Sequence, residues 1–189
     1  NGIYIDATLG GGGHCQHILD TLGPNGRVLA FDQDEAAGNN VPEDDRLTFI
    51  PHNFRHIERF TRFSGVSGVD GILADLGVSS HQFDVPERGF SYRFPERTLD
   101  MRMDTRTGKT AADLLNQLEP GPLQQLLGEY GEVRNARTVA AAIVQFRRQR
   151  PFKLVGDLLE VLHPLIRGER HRYLAQVFQA LRIAVNEEM

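Results

Sequence analysis

The chain has 189 residues, of which 40% are hydrophobic, which is enough for a substantial core in one domain with or without a small appendage. Its single cysteine, Cys15, excludes a disulfide framework, and its seven histidines lack the paired spacing of a structural zinc site, so we expect no metal. The sequence shows neither a signal-peptide pattern nor an apolar run of about 18 residues, so we expect a cytoplasmic protein without membrane contact.

The net charge of −4 conceals a gradient along the chain. Residues 1–100 hold 8 Lys and Arg against 15 Asp and Glu, whereas residues 101–189 hold 13 against 10. The basic excess is concentrated in residues 134–172, with nine basic and three acidic residues. A segment of this kind could bind a phosphate backbone, although a solvated helical face has the same composition.

Four short apolar runs, each bounded by Gly, Pro, Asn or Asp, predict buried parallel strands. They are IYIDAT, RVLAFD, LTFI and VDGILADL, at residues 3–8, 27–32, 47–50 and 69–76. Between the first two runs, Ile18, Leu19 and Leu22 share one face of a predicted helix that ends at Gly23-Pro24. This order is a βαβ unit, and its ligand crevice is expected beyond the carboxyl ends of the strands.

After residue 104 the pattern changes to helices, with apolar residues at three- and four-residue spacing. The chain is therefore predicted to be an α/β protein with an inserted all-helical subdomain. We expect residues 1–104 to form the α/β core, residues 105–170 the insertion, and residues 171–189 a helix that returns to the core. Because the chain starts directly before a strand and ends inside a helical pattern, we also expect more sheet strands in a longer protein.

Four consecutive glycines follow the first predicted strand, in DATLGGGGHC at residues 6–15. A Walker loop would need Gly-Lys-Ser/Thr, and the first lysine is Lys109. A dinucleotide fingerprint needs G-x-G-x-x-G, but its third glycine position is Cys15 when counted from Gly10 and Gln16 when counted from Gly11. The loop thus favours a close approach of backbone to a ligand that has no pyrophosphate.

Asp6, Asp32 and Asp75 stand at the ends of predicted strands and would make the crevice acidic. S-adenosylmethionine fits such a crevice, because it carries a cationic sulfur and a nucleoside but no phosphate. Asp32 could accept hydrogen bonds from both ribose hydroxyls, a role that a carboxylate at this position also has toward NAD. An NAD-dependent oxidoreductase is therefore the alternative enzyme class, and the missing third glycine disfavours it.

Eight motifs together resemble one known family. They are DATLGGGGH, FDQD, DGILADLGVSSHQFD, RGFSYR, LDMRMD, TAADLLN, YGEVRNAR and FQALRIAVNEE. In this order they resemble the bacterial 16S ribosomal RNA (cytosine N4)-methyltransferases of the MraW/RsmH type. The resemblance implies a class I, Rossmann-like methyltransferase sheet with an inserted helical domain, and S-adenosylmethionine as the cofactor. It also implies methylation of the exocyclic N4 of a cytidine in the decoding region of 16S rRNA in the small ribosomal subunit, and it leaves monomer and homodimer open.

The resemblance further implies a set of cofactor-binding residues. The loop around the methionine end would contain Gly12, Gly13 and His14, and Asp32 would bind the ribose. Phe54 would lie against the adenine, although an aromatic residue that opens an amphipathic helix is more often part of a core. The remaining implied residues of this site are Asp75 and Gln82.

Asp75 is the predicted catalytic residue. Cytosine N4 is a poor nucleophile because its lone pair is delocalised, so a carboxylate that binds the amine protons and takes or relays one of them would assist the reaction. The backbone of Leu76 and Gly77 would help. Many amino-methyltransferases have a Pro-Pro-Tyr/Phe sequence directly after this acid, and the chain has none. The aromatic residues that could stack on the base instead are Phe83, Phe90 and Tyr92.

Basic residues are the predicted contacts to rRNA phosphates. Those assigned to this role are Arg88, Arg93, Arg147, Arg148, Arg150, Lys153, Arg170 and Arg172. Arg167 is predicted to bind phosphate together with Arg170 and Arg172, whereas Arg97 and Arg102, with Arg88 and Arg93, lie among the aromatic residues that could stack on the base. The non-enzyme alternative is a piece of a longer protein that binds the cofactor weakly or not at all.

Overall fold

A computed structural model describes residues 1–77 and 85–188. The chain divides into two compact units, Asn1–Ser79 and Ser80–Met189. The first unit contains a parallel sheet with helices, and the second is built from helices, so the predicted α/β class is confirmed. Within the described ranges, no helix combines the length and the apolar character that a membrane span requires.

The first unit is organised around a four-stranded parallel sheet. Its strands are β1 (Ile3–Asp6), β2 (Arg27–Phe31), β3 (Leu47–Ile50) and β4 (Gly71–Leu73). They lie in the order β3-β2-β1-β4, and Tyr4 of β1 is opposite both Val28 of β2 and Gly71 of β4. The chain therefore moves outward from β1 to β3 and then returns to the other side of β1. The strand order reverses at β1 and β4, which is where doubly wound sheets bind their ligands.

Helices pack on both faces of the sheet, and β2 sends alternate buried side chains toward each of them. Helix α1 (Gly13–Thr21) packs on the face of Val28 and Ala30, and helix α2 (Ile57–Phe63) packs on the face of Leu29 and Phe31. The buried cluster on the α1 side comprises Leu9, Cys15, Leu19, Val28, Ala30 and Ala37. The cluster on the α2 side comprises Ile5, Ala7, Leu29, Phe31, Ile50 and Val66.

Five α-helices lie in the described part of the second unit. They are α3 (Ala111–Gln117), α4 (Pro120–Glu129), α5 (Ala136–Arg147), α6 (Val155–Leu162) and α7 (Arg170–Asn186). Helix α4 packs on α5 and α7, and α6 packs on α5. The start of α3 is set by a capping box, in which Thr110 and Asp113 bind each other's backbone N–H groups.

Residues 85–104 have their backbone hydrogen bonds inside this helical unit. The Leu99 N–H donates to the Lys153 carbonyl at 3.0 Å, and the Ala111 N–H donates to the Asp100 carbonyl at 2.7 Å. The second compact unit thus starts earlier in the chain than residue 104, where the sequence analysis set the boundary. The predicted return of residues 171–189 to the sheet concerns the arrangement of the two units and stays a prediction.

A buried amide from α7 holds the middle of this segment. Asn186 accepts a hydrogen bond from the Met103 N–H at 2.6 Å and donates one to the Met101 carbonyl at 2.8 Å. Met101 is fully buried and has a positive φ of 64°. The side chain of Asn186 therefore stabilises a backbone turn that a methionine adopts only at some conformational cost.

Candidate active site

Carboxylates lie at the carboxyl ends of three of the four strands. Asp6 is the last residue of β1, Asp32 directly follows β2, and Asp75 is two residues beyond the end of β4. Because parallel strands end at the same edge of a sheet, these side chains share the edge at which the strand order reverses. The three predicted carboxylates therefore lie at one edge of the sheet in the first unit, and the crevice between them stays a prediction.

The glycine loop between β1 and α1 is tied to the neighbouring strand and to the segment after it. The Gly10 N–H donates to Asp32 Oδ2 at 2.8 Å, and Asn40 Nδ2 donates to the Gly10 carbonyl at 2.9 Å. Gly12 has a φ of 78°, and a Cβ on it would lie 2.4 Å from the Asn40 carbonyl oxygen. The residue at position 12 must therefore be a glycine for the loop to keep this path.

Two other glycines leave open space at the loop. A Cβ on Gly11 or Gly13 would meet no heavy atom within 4 Å. Gly13 is the first residue of α1, and its N-cap residue, Gly12, provides no side-chain cap. The first-turn N–H groups of α1 are thus available to an anionic group such as an amino-acid carboxylate.

Asp32 has a structural role that the sequence analysis did not foresee. One carboxylate oxygen accepts the Gly10 N–H, and the other accepts the Asp34 N–H at 2.8 Å. Burial raises the pKa of Asp32, and the two backbone hydrogen bonds oppose that shift. Each carboxylate oxygen can accept a second hydrogen bond, so Asp32 can hold the loop and bind a pair of ribose hydroxyls at the same time.

Asp6 is fully buried at the base of the site. Its Oδ1 accepts a hydrogen bond from the Thr8 N–H at 3.1 Å, whereas its Oδ2 has no hydrogen-bond partner among the described residues. Burial raises the pKa of Asp6, and the Thr8 hydrogen bond and the nearby His14 lower it in part. A buried carboxylate oxygen without a partner is costly, and a cationic or hydrogen-donating ligand at this edge would reduce the cost.

Asp75 and His14 approach each other across the site. His14 Nε2 lies 3.7 Å from Asp75 Oδ2, and both side chains are exposed. The backbone of Asp75 is anchored, because its N–H donates to Thr8 Oγ1 at 2.8 Å. Over the two described ranges, no group of three or more His, Cys, Asp or Glu side chains is arranged to hold a metal ion.

The segment after β3 brings Phe54 toward the sheet. Asn53 caps the turn by accepting the Arg55 N–H, and its Nδ2 donates to Gln33 Oε1 at 2.9 Å. Phe54 is half-buried against the core cluster on the α2 side, so part of its ring is available to a ligand. Gln82, the last predicted cofactor-binding residue, lies outside the described residues.

The aromatic residues predicted to stack on a base differ in how far their rings are buried. Phe90 is only 3% exposed and belongs to the core of the helical unit, so it does not offer a free ring face. Tyr92 packs edge-on against Phe178, with the ring centroids 5.6 Å apart. Phe83 lies outside the described residues.

Two of the predicted RNA-binding arginines bind backbone carbonyls within the helical unit. Arg147 donates to the carbonyls of Leu115 and Leu118, at 2.8 and 2.6 Å, at the end of α3. Arg88 donates to the carbonyls of residues 102 and 103, at 3.0 and 3.1 Å. These hydrogen bonds give both guanidinium groups a role in the fold, and their assignment to RNA stays a prediction.

Other predicted RNA-binding residues are exposed, namely Arg93, Arg148, Arg150, Lys153, Arg167, Arg170 and Arg172. Arg150 forms ion pairs with Asp157 and Glu160, and Arg170 contacts the His163 ring at 3.1 Å. The guanidinium of Arg93 lies 5.7 Å from the centroid of a neighbouring phenylalanine ring. For three of the exposed residues, the RNA-binding prediction rests on exposure and on position in the chain alone. These residues are Arg148, Lys153 and Arg172.

Sequence reasoning missed Thr8 and Asn40. The signal for Thr8 was present, because an aspartate that ends a strand commonly accepts the N–H two residues later, which fixes that residue. The contact between Thr8 and Asp75 joins residues 67 apart in sequence, and that between Asn40 and Gly10 joins residues 30 apart. Neither pairing has a local signature.

Comparison with known proteins relates the whole chain to one family. The sequence profile of the MraW methylase family matches residues 1–189. Proteins named ribosomal RNA small subunit methyltransferase H from Flavobacterium johnsoniae and Phocaeicola vulgatus are each 53% identical to the chain, and one from Cytophaga hutchinsonii is 51% identical. Each match covers 100% of the chain but only 62–63% of the relative. The chain therefore spans a little under two thirds of the length of these relatives.

Proposed function

Since the chain belongs to the MraW methylase family, we propose that it forms the cofactor-binding part of an enzyme that methylates 16S rRNA of the small ribosomal subunit in the cytoplasm. We further propose that the acceptor is the exocyclic N4 of a cytidine in the decoding region. The relatives' name supports a methyltransferase for small-subunit rRNA, and the choice of atom and region rests on the resemblance of the motifs.

One observation in the structure carries the choice of cofactor. A tied glycine loop and three strand-end carboxylates share one edge of a parallel sheet, and the loop contains no lysine. Negative charge at this edge attracts a cationic sulfur and repels a pyrophosphate. The residues present therefore fit S-adenosylmethionine, which supplies a methyl group activated by its positively charged sulfur.

The chain's own residues provide distinct contacts for this cofactor. The N–H groups at the start of α1, with Gly12 and Gly13, would bind its carboxylate, and His14 would line the same end. Asp32 would accept the ribose hydroxyls while it keeps the Gly10 N–H. The exposed part of Phe54 would cover the adenine. Gln82 is proposed to complete the site on the basis of the family motif alone.

Asp75 would act on the acceptor amine. Its exposed carboxylate can accept a hydrogen bond from the cytosine amine, which aligns the nitrogen for attack. As the nitrogen–carbon bond forms, the bond between that methyl carbon and the sulfur of the cofactor would break and leave a neutral thioether. The amine gives up one proton, and Asp75 Oδ2 or a water bound to it would receive that proton. General-base assistance of this kind is worth about 10²- to 10⁴-fold in rate.

The experiment that tests this role uses the full-length protein, small ribosomal subunits and labelled S-adenosylmethionine, followed by mapping of the modified base. Asp75→Asn is expected to lower kcat by about 10²- to 10⁴-fold while the Kd for S-adenosylmethionine measured by calorimetry rises by less than about tenfold, because the amide oxygen of asparagine can still accept a hydrogen bond from the cofactor. Asp45→Asn, an exposed aspartate in the loop before β3, is the matched control. Full turnover by Asp75→Asn, or tighter binding of NAD than of S-adenosylmethionine, would refute the proposal.

The helical unit is proposed to bind rRNA phosphates through exposed basic residues. Arg148 and Lys153 lie in the loop between α5 and α6, and Arg172 lies in the first turn of α7. The double variant Arg148→Glu/Lys153→Glu should weaken binding to small subunits and reduce its dependence on salt, because fewer counterions are released. Arg27→Glu, in the other unit, is the control. An unchanged salt dependence in the double variant would exclude this surface.

A further inference from the structure

The backbone hydrogen bonding between β1 and β4 is interrupted at the carboxyl ends of these strands, where the candidate active site lies. Asp6 lies opposite Leu73 at the end of the paired strands, and the Ala7 N–H donates to the Leu73 carbonyl at 2.8 Å. In an unbroken parallel ladder, the Ala7 carbonyl would next accept a hydrogen bond from the Asp75 N–H. That backbone bond would keep the two strands together through position 75.

In the structure, the side chain of Thr8 takes the place of this carbonyl. The Asp75 N–H donates to Thr8 Oγ1 at 2.8 Å, so a hydroxyl rather than a backbone oxygen is the acceptor. Thr8 itself is well held, because its N–H donates to the fully buried Asp6 and its β-branched side chain is half-buried. The strands can separate here while the backbone at Asp75 keeps a fixed partner.

We propose that Thr8 is a positioning residue for Asp75. Its hydroxyl fixes the backbone of Asp75 and so directs the carboxylate toward the amine in the reaction proposed above, on which this inference rests. Within residues 1–77 and 85–188, the carboxylate of Asp75 has only a loose contact: its side chain is 74% exposed, and its separation of 3.7 Å from His14 Nε2 is too long for a hydrogen bond. The contact with Thr8 is therefore the main restraint that the described residues place on Asp75.

The size of the effect follows from the geometry of proton transfer. If the hydroxyl is removed, the Asp75 N–H must bind water or move toward the Ala7 carbonyl, and the carboxylate moves with it. A displacement of about 1 Å at a reacting group costs up to about 10²-fold in rate. We therefore expect Thr8→Val, which keeps the branched shape but has no acceptor, to lower kcat about 10- to 100-fold.

The test compares Thr8→Val and Thr8→Ser in the full-length protein, with and without Asp75→Asn. Thr8→Val should lower kcat while KM and the Kd for S-adenosylmethionine change less than about threefold, and Thr8→Ser should restore most of the rate. In the Asp75→Asn background, Thr8→Val should have little further effect, because both changes remove the same function. Amide hydrogen exchange at Asp75 should be faster in Thr8→Val than in Thr8→Ser.

The outcomes distinguish the positioning role of Thr8 from the proposed catalytic role of Asp75. If Asp75→Asn lowers kcat but Thr8→Val does not, the positioning role of Thr8 is wrong and the proposed function stands. If Thr8→Val has its full effect in the Asp75→Asn background, Thr8 acts by another route and the inference also fails. If Asp75→Asn leaves kcat unchanged, both proposals fail. Should Thr8→Val not fold, Thr8→Ala removes the same acceptor with a smaller side chain and carries the same expectations.

Discussion

Gly13 allows the proposed cofactor site to be separated from the stability of the fold. It is the first residue of α1, its φ lies outside the left-handed region, and a Cβ on it would meet nothing within 4 Å. For the protein alone, Gly13→Ala should therefore be neutral or stabilising, by up to about 1 kcal/mol, because alanine has the higher helix propensity. A loss of stability is not expected.

For the cofactor the same methyl group is an obstacle. A ligand atom packed at about 3.7 Å from the Gly13 Cα would lie only about 2.2 Å from a Cβ that points toward it, which is more than 1 Å too close. The ligand must retreat, and it then loses at least one hydrogen bond between its charged carboxylate and the first turn of α1. Such a bond contributes about 1.5–3 kcal/mol, so the Kd should rise about 10- to 100-fold.

Calorimetry with S-adenosylmethionine and urea denaturation measure these two quantities on the same protein. Gly128→Ala in α4 is the matched control, because Gly128 is also an exposed helical glycine with open space at its Cβ. It should show the stability gain without any change in Kd. A Gly13→Ala protein that binds the cofactor as tightly as the wild type would refute the placement of the methionine end at this loop. A strongly destabilised one would refute the described start of α1.

Three further predictions concern the helical unit. Asn186→Ala should lower the free energy of unfolding by about 2–4 kcal/mol, because it leaves the buried Met103 N–H without its acceptor. A loss of less than about 0.5 kcal/mol in urea denaturation would contradict this expectation. Arg147→Ala should cost about 2 kcal/mol and Arg148→Ala less than about 0.5, and equal costs would show that Arg147 does not hold the end of α3. The hydrogen bonds of Asp113 with Thr110 at the N-terminus of α3 lower the pKa of Asp113. The contribution of Asp113 to the free energy of unfolding is therefore present above about pH 3.9, and it is lost as the pH falls through the lowered pKa of the folded state. Urea denaturation of wild type and Asp113→Asn across this range should show the difference shrinking, and a constant difference would exclude the capping role.

The elements of the fold were predictable because burial imposes a period on the sequence. The runs ending at Asp6 and Asp32 are apolar almost throughout, as strands covered on both faces must be, and the structure has strands in both. The carboxylates could be placed at one edge because parallel strands end together. That inference needs only the strand assignment and the order of elements.

Contacts between residues far apart in sequence could not be predicted. The basic sequence around the end of α5 predicts phosphate binding equally well for Arg147 and Arg148, yet the first lies against the carbonyls at the end of α3 and the second is exposed. Phe90 and Tyr92 are only two residues apart, but one is a core residue and the other half-buried. Such differences depend on which helix lies beside a side chain, and composition does not encode that.

The hydrogen bond between Asn186 and the Met103 N–H spans 83 residues and has a consequence for biosynthesis. During translation the turn around Met101 emerges long before its amide partner, and at about 5–20 residues per second the delay is roughly 4 to 17 s. Over that interval the nascent helices α3 to α6 lack the element that locks the turn. The helical unit should therefore reach its native state late, and this period is when chaperones and proteases on the ribosome have access to it.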